Sequence, residues 1–289
     1  MRLACALGVL AITLAGAGRS AAGCGPDPAP CTVPLGVYHV ALPEGKPRGA
    51  LLYLHGARAS GKDALQSRDW NRMALSRGYA VIAPDGTIQP VRGWRGWSFM
   101  LDIPTARDEI AFLESVRDDA AARFGLDAGS MILTGFSVGG AMTSYVACRS
   151  PESFAAYAPV AGGFWRPHPG QCEDGPVRLL HTHGWTDTTV PLEGRVLRGE
   201  DEDDPDALMQ GDIYDTLEMW RHVNGCKQFR ADRFVTEGAF LRRAWDRCTP
   251  GSALEFALHK GGHLVPEGWA TMMLDWAETL EAADRPAAN

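Results

Sequence analysis

Residues 131–147 hold the feature that most limits how this chain can fold. Met131-Ile132-Leu133 is an apolar run suited to a buried strand. It leads into Gly135-Phe136-Ser137-Val138-Gly139-Gly140 and then Ala141-Met142-Thr143-Ser144-Tyr145-Val146-Ala147, a stretch that reads as a helix. A Gly-x-Ser-x-Gly frame between strand and helix calls for a turn too tight to admit side chains at its glycines. Such a turn lifts the serine hydroxyl above the sheet, at a helix N-terminus that favours developing negative charge. An ordinary Gly/Ser loop carries the same letters; the strand-then-helix context favours a nucleophilic serine.

A serine hydroxyl needs a base to take its proton and a carboxylate to orient that base. Two later segments supply them. Asp187 lies in His183-Gly184-Trp185-Thr186-Asp187, straight after a predicted strand. His263 lies on the glycine-flanked loop Lys260-Gly261-Gly262-His263 after the last strand. Alone, Asp187 would read as an Asx turn before Thr188-Thr189, and His263 as a loop histidine. Together with Ser137 they stand in the chain order expected of an α/β-hydrolase, each at the carboxyl end of a strand. A metal set built from His181, His183, Asp187 and His263 has no recognised ligand spacing, so neither metal nor cofactor is expected. Two N–H donors must face the oxyanion. The expected pair is Val138, next to the nucleophile, and Ala57, in the turn His55-Gly56-Ala57-Arg58 after an early strand. His55 reads as a brace for that turn.

Strands and helices alternate along the chain. The pattern predicts strands over 37–42, 50–55, 79–84, 156–160, 177–183 and 254–258, besides the elbow strand. It predicts helices over 69–77, about 104–124, 213–223 and 269–280. Continuous apolar strands between helices imply an α/β fold, a mostly parallel sheet covered on both faces. Only about 16 residues separate the strand ending at Val160 from the one starting at Val177, too few for a large helical lid. One catalytic domain over 35–282 is expected. A Pro-rich lead (23–34) precedes it and a short tail (283–289) follows.

Residues 1–22 read as a secretory signal, with Arg2 as the charged start, Leu3–Leu14 as the apolar stretch and Ser20-Ala21-Ala22 before the cleavage point. Lipid anchoring at Cys24 fits less well, because Ala21 stands where a large aliphatic residue is wanted. Cys5 leaves with the signal, so six of the seven cysteines remain: Cys24, Cys31, Cys148, Cys172, Cys226 and Cys248. An even number in an exported chain suggests disulfides. Neighbour pairing closes short local loops; other pairings, or one or two free buried thiols, stay open. The net charge of −7 becomes −9 when Arg2 and Arg19 are removed. No basic patch offers a footprint for nucleic acid, and no later apolar run is long enough to span a membrane. The acidic run Glu200–Asp206 reads as a solvated loop, since it lacks the spacing of a calcium loop.

Taken in order, these segments resemble the secreted polyhydroxybutyrate depolymerase / feruloyl esterase-like family of α/β-hydrolases. The resemblance rests on Leu54-His55-Gly56, Ala83-Pro84-Asp85-Gly86, Asp108-Glu109-Ile110-Ala111-Phe112, the elbow and Ala158-Pro159-Val160-Ala161-Gly162. It continues through His183-Gly184-Trp185-Thr186-Asp187, Gln210-Gly211-Asp212, Asn224-Gly225-Cys226 and Gly261-Gly262-His263. It spans about residues 35–280. It implies Ser137, Asp187 and His263 as a catalytic triad and the neighbour pairing of the cysteines. Three features depart from the family pattern. Arg58 stands in a normally glycine-rich loop, Trp185 replaces a small residue, and the extra binding module common in enzymes that attack solid polymer is not legible. Trp185, Trp97, Trp94 and Arg58 are candidate substrate contacts; core packing is the alternative for the tryptophans and solvation for Arg58. The expected activity is a secreted serine carboxylesterase acting on small or oligomeric hydroxyalkanoate, feruloyl or short acyl esters. A serine peptidase on the same fold and a catalytically silent binding protein are the alternatives. The oligomeric state is not legible.

Overall fold

The computed structural model describes residues 23–284 apart from 67, 91–92, 101–106, 174, 198, 202 and 205–206. The predicted signal segment and most of the predicted tail lie outside the described residues. Ten strands form one sheet: β1 (Cys31–Val33), β2 (Gly36–Ala41), β3 (Gly49–Leu54), β4 (Tyr79–Pro84), β5 (Ile132–Phe136), β6 (Ala156–Val160), β7 (Arg178–Gly184), β8 (Arg233–Glu237), β9 (Phe240–Trp245) and β10 (Ala253–His259). Their spatial order is β1-β2-β4-β3-β5-β6-β7-β10-β9-β8. The six inner strands from β4 to β10 run parallel, and antiparallel pairs flank them on both sides.

Helices cover both faces because the inner strands are apolar on both. In β3, Ala50, Leu52 and Leu54 join one core while Leu51 and Tyr53 join the other, the period-two alternation of a strand buried on two sides. On the first face lie α3 (Glu109–Phe124), α4 (Val138–Arg149) and α5 (Ile213–Val223), through Phe112, Met142 and Trp220. On the second lie α1 (Gly61–Gln66), α2 (Arg68–Ser76) and α6 (Trp269–Asp284), through Leu65, Trp70 and Trp276.

Several boundaries differ from the sequence reading, each for a local reason. Helix α3 starts at Glu109, not near residue 104, because the Asp108 carboxylate accepts the Ala111 N–H as an N-cap. Helix α6 runs through Asp284, two residues into the predicted tail. Helix α1 was not anticipated. It is short but capped reciprocally: Ser60 N–H donates to the Asp63 carboxylate and Asp63 N–H to the Ser60 hydroxyl. The hairpin β8–β9 was also missed. Its signal is the aromatic and β-branched run Phe234-Val235-Thr236 ahead of a Gly238-Ala239 turn, with Gly238 at φ 55°.

Between β6 and β7 the chain makes only the short strand Trp165–Arg166. This pairs with Met209–Gln210, which in turn pairs with Arg195–Val196. Among the described residues no helix lies over the carboxyl ends of the inner strands in that segment. Start and finish of the second half are tied together at Asn224. Its side chain accepts from Val177 N–H and donates to Val177 C=O, both at 2.9 Å, just ahead of β7.

Disulfides join Cys24 to Cys31, Cys148 to Cys172 and Cys226 to Cys248, with sequence separations of 7, 24 and 22. The first fixes the lead against β1, the second ties the end of α4 to the loop before β7, and the third joins the loop after α5 to the loop after β9. Cross-linking restricts the unfolded chain more as the enclosed loop lengthens. Replacing Cys148 and Cys172 together by Ala should therefore lower unfolding free energy by about 3 kcal/mol, against about 2 kcal/mol for Cys24 and Cys31. Urea denaturation of the two double variants measures the difference.

Candidate active site

The elbow forms because three glycines leave room for it. A Cβ on Gly135 would lie 2.4 Å from Gly139 O, one on Gly139 2.2 Å from Leu54 O, and one on Gly140 2.6 Å from Val160 O. Between them Ser137 takes φ 59° and ψ −121°, far from the favoured regions for an L-residue. Its N–H donates to Val160 O at 2.9 Å, which ties the turn to the end of β6.

His263 bridges the other two predicted residues. With Asp187 as the carboxylate, Nδ1–H donates to Asp187 Oδ2 at 2.8 Å, which leaves Nε2 to accept from Ser137 Oγ at 2.9 Å. Phe136 packs beside the imidazole, ring centroids 4.7 Å apart; the sequence reading gave it no role. The Asp187 loop sits close to the His263 loop because Gly184 has no side chain. A Cβ there would lie 2.3 Å from Gly262 O, and Trp185 N–H and Thr186 N–H donate to His259 O and Gly261 O. Asp187 Oδ1 accepts from Thr189 N–H and Val190 N–H at 2.9 and 2.8 Å. Burial pushes the Asp187 carboxyl up, but the His263 and Val190 bonds outweigh it and hold the group below the usual carboxylate value.

Behind Asp187 lies a second chain of imidazoles. His183 Nε2–H donates to Val190 O at 2.8 Å and stands 3.6 Å from Asp187 Oδ2. Its Nδ1 therefore accepts, from His181 Nε2–H at 3.1 Å. Val190 is thus held from both sides, its N–H by Asp187 and its C=O by His183. Burial lowers the His183 pKa to about 4 and pushes His181 well below its ordinary value, so both rings are neutral at pH 7. These residues brace the acid's loop. Among the described residues no group of His, Cys, Asp or Glu is arranged to hold a metal ion.

The turn expected to complete the oxyanion site abuts the elbow; a Cβ on Gly56 would lie 3.2 Å from the Phe136 ring. His55 braces it: Nδ1–H donates to Gly56 O at 2.7 Å, and Nε2 accepts from Gly86 N–H at 2.9 Å. Ala57 is exposed in the turn, and Val138 is the first residue of α4. An N–H at the start of a helix has no intrahelical acceptor, so the Val138 N–H has no partner within α4. Arg58 takes φ 67°, the conformation a glycine would adopt without cost, and its N–H donates to Arg95 O at 2.8 Å.

The four candidate substrate contacts separate. Trp97 is a correction: it is 2% exposed, and its indole donates to His55 O at 2.9 Å, so it supports the turn from below. Trp94 is half-buried and packs over Gly96. Arg58 is exposed at the turn, and Trp185, 64% exposed, lines a pocket with Tyr214, Arg221 and Phe256. On the imidazole side a groove of about 910 Å³ runs from His263 and Phe136 past Met73 and Leu264.

This sequence and fold have relatives. Residues 66–164 match the Prolyl oligopeptidase family (Peptidase_S9). The chain is 27% identical over 240 residues to NocK of Nocardia uniformis subsp. tsuyamanensis, named as an esterase, covering 79% of this chain and 68% of that protein. It is 27% identical over 197 residues to Feruloyl esterase C of Emericella nidulans, covering 62% of this chain and 66% of that one. The matches thus span about two thirds of these relatives' lengths. Among solved structures, the acetyl xylan esterase from Aspergillus awamori superposes with a TM-score of 0.59 at 15% identity, over 84% of this chain and 93% of that one.

The chain has the α/β-hydrolase fold.

The resemblance read from the motifs agrees with these relatives. The imidazole chain behind Asp187 has a measurable consequence. Folded His183 gives up its proton at about pH 4, whereas the unfolded group does so at its ordinary 6.5. Unfolding therefore takes up a proton in between, and the contribution to stability, complete above pH 6.5, is lost as pH falls toward 4. Urea midpoints should drop between pH 7 and pH 5 in the wild type. They should drop less in His183→Asn, which cannot titrate there. The same variant should lower kcat roughly 10²-fold through loss of Asp187 positioning, with KM little changed.

Proposed function

We propose that this protein hydrolyses carboxylic esters through a covalent acyl-enzyme. Ser137 Oγ attacks the ester carbonyl while His263 Nε2 takes its proton. The tetrahedral oxyanion lies against the N–H groups of Val138 and Ala57. The C–O bond to the alcohol then breaks, and His263 returns the proton to the leaving oxygen. Water, deprotonated by the same imidazole, attacks the acyl carbon; the bond from that carbon to Ser137 Oγ breaks, His263 returns the proton to Oγ, and the acid is released. Asp187 holds the Nδ1–H tautomer and stabilises the imidazolium. One observation carries this reading: the hydrogen-bonded chain from Asp187 through His263 to Ser137, at 2.8 and 2.9 Å. The relatives named as esterases point the same way.

Feruloyl, hydroxyalkanoate and short acyl esters are the substrate classes. The leaving alcohol belongs on the imidazole side, because the proton is delivered there, and the groove beside His263 gives it room. Trp185 and Arg58 are the exposed side chains available to the rest of the substrate. Three disulfides suit an oxidising, exported destination, and no helix among the described residues is long and apolar enough to cross a membrane.

The match of residues 66–164 to a peptidase family favours a second reading, peptide hydrolysis by the same three residues. Initial rates on p-nitrophenyl butyrate and on peptide p-nitroanilides separate the two. The expected outcome is ester cleavage that falls on the order of 10⁶-fold in Ser137→Ala. Near-wild-type ester turnover in that variant would remove Ser137 from the mechanism, and preferential anilide cleavage would establish the peptidase. Trp185→Ala should change the ratio of kcat/KM for feruloyl over butyryl esters roughly tenfold; an unchanged ratio in folded protein assigns the ring no substrate contact.

A further inference from the structure

The two edges of the sheet are treated differently. At one, β1 is three residues long, two of them buried, and the Cys24–Cys31 disulfide ties it to the preceding chain. The other edge is β8, Arg233-Phe234-Val235-Thr236-Glu237, and all five residues are exposed. Among the described residues only β9 pairs with it. Phe234 is 59% exposed and Leu241, on the same face of β9, is 58% exposed. An edge strand of this length with apolar side chains offers unpaired backbone groups for another strand to bond.

We propose that β8 is a homodimer interface, with a second copy of this chain adding its own β8 antiparallel across a two-fold axis at Val235. Two independent features set that register. The first is the backbone. A two-residue turn joins Glu237 to Phe240, so these two form the hydrogen-bonded pair that closes the hairpin, and Glu237, Val235 and Arg233 aim their N–H and C=O groups at β9. The groups of Phe234 and Thr236 then face outward. In the two-fold register Phe234 of each copy lies opposite Thr236 of the other, and these outward groups bond one another.

The second feature is charge. The same register sets Arg233 of each copy opposite Glu237 of the other and Val235 opposite Val235. A slip by one residue in either direction loses both ion pairs. Within one copy each charge already has a neighbour: Arg233 bonds Asp246 at 2.9 and 3.0 Å, and Glu237 bonds Arg242 at 2.5 Å. The added strand therefore joins two existing ion pairs into a network, in which the charges discourage other registers and reward this one. A groove of about 440 Å³ between this hairpin and α6, lined by Val235, Ala244 and Leu280, leaves room on the second face of the sheet for the incoming copy.

Sedimentation velocity of the full exported chain tests the pairing. The wild type should sediment with twice the protomer mass at micromolar concentration. Thr236→Pro removes an outward N–H without touching the bonds to β9 and should give monomer. Arg233→Glu and Glu237→Arg each set like charges opposite one another and should each be monomeric. Mixed in equal amounts, these two variants should recover a dimer. The carboxylate introduced at position 233 of the first then faces the guanidinium introduced at position 237 of the second, and the unchanged Glu237 of the first faces the unchanged Arg233 of the second. Circular dichroism identical to wild type certifies that each variant is folded. A monomeric wild type up to about 100 μM, well above typical dimer dissociation constants, overturns the proposal. A dimer indifferent to all three variants overturns it as well, and a mixture that stays monomeric overturns the register.

Discussion

The structure depends on backbone meeting backbone with nothing in between at the elbow. Gly135, Gly139 and Gly140 pack against Leu54, Val160 and each other at separations a Cβ could not occupy. That contact brings α4 directly onto β3 and β6, and it forces Ser137 into its positive φ. From this point the other parts acquire their places. Val160 O receives the Ser137 N–H, the Gly56 turn leans on Phe136, and Phe136 flanks the His263 ring. A methyl group at any of the three glycines would push helix from sheet, and the cost would reach the hydroxyl through displacement rather than chemistry.

Much of this was legible because the determinants are local. Gly-x-Ser-x-Gly, an acid after a buried strand and a histidine between glycines each declare a turn by their own sequence. The parallel inner sheet follows from apolar runs that need cover on both faces. What was not legible depends on partners far along the chain. Trp97, in a loop after a strand, reads equally as a pocket residue or as core packing; only its bond to His55 O reveals a support. In sequence His183 shows only as part of a motif and of a metal set without ligand spacing; its bracing role is not visible, since its partner is the carbonyl of Val190, and backbone atoms leave no mark in sequence. The β8–β9 hairpin was missed because exposed strands lack the apolar run by which buried ones are recognised, although its Gly238 turn was there to be read.

The site's electrostatics rest on an asymmetry between two kinds of buried polar group. Asp187 stays charged because N–H donors and an imidazole surround it; His183 stays neutral because burial outweighs the Val190 bond and the Asp187 charge, and His181 because burial and the neighbouring His183 act in the same direction. A protonated imidazole behind Asp187 would compete with His263 for its charge. Keeping the rear pair neutral leaves the carboxylate's field directed at the ring that touches Ser137. Coulomb interaction across a few ångströms of protein interior is large enough for this to matter.

Backbone strain gathers around the same few residues. Among the described non-glycine residues, Arg58, Ser137 and Ala161 have positive φ, at 67°, 59° and 51°. Ser137 is the elbow, and Ala161 directly follows Val160, the residue that receives its N–H; Arg58 closes the turn beside Phe136. Each costs roughly 1–2 kcal/mol relative to a relaxed residue, and each is held by a backbone bond: Arg58 N–H to Arg95 O, Ser137 N–H to Val160 O, Ala161 N–H to Thr182 O. Two of the three bonds run to the carboxyl-terminal parts of β6 and β7, at the same rim of the sheet as Ser137, which follows β5, and Asp187, which follows β7. Unrelated accidents of packing would scatter such positions over the surface loops. Their convergence on one rim of the sheet means that the elements around it fix the chain there more firmly than local preference opposes. That is the condition under which the proposed nucleophile, base and oxyanion donors can be ready before a substrate arrives.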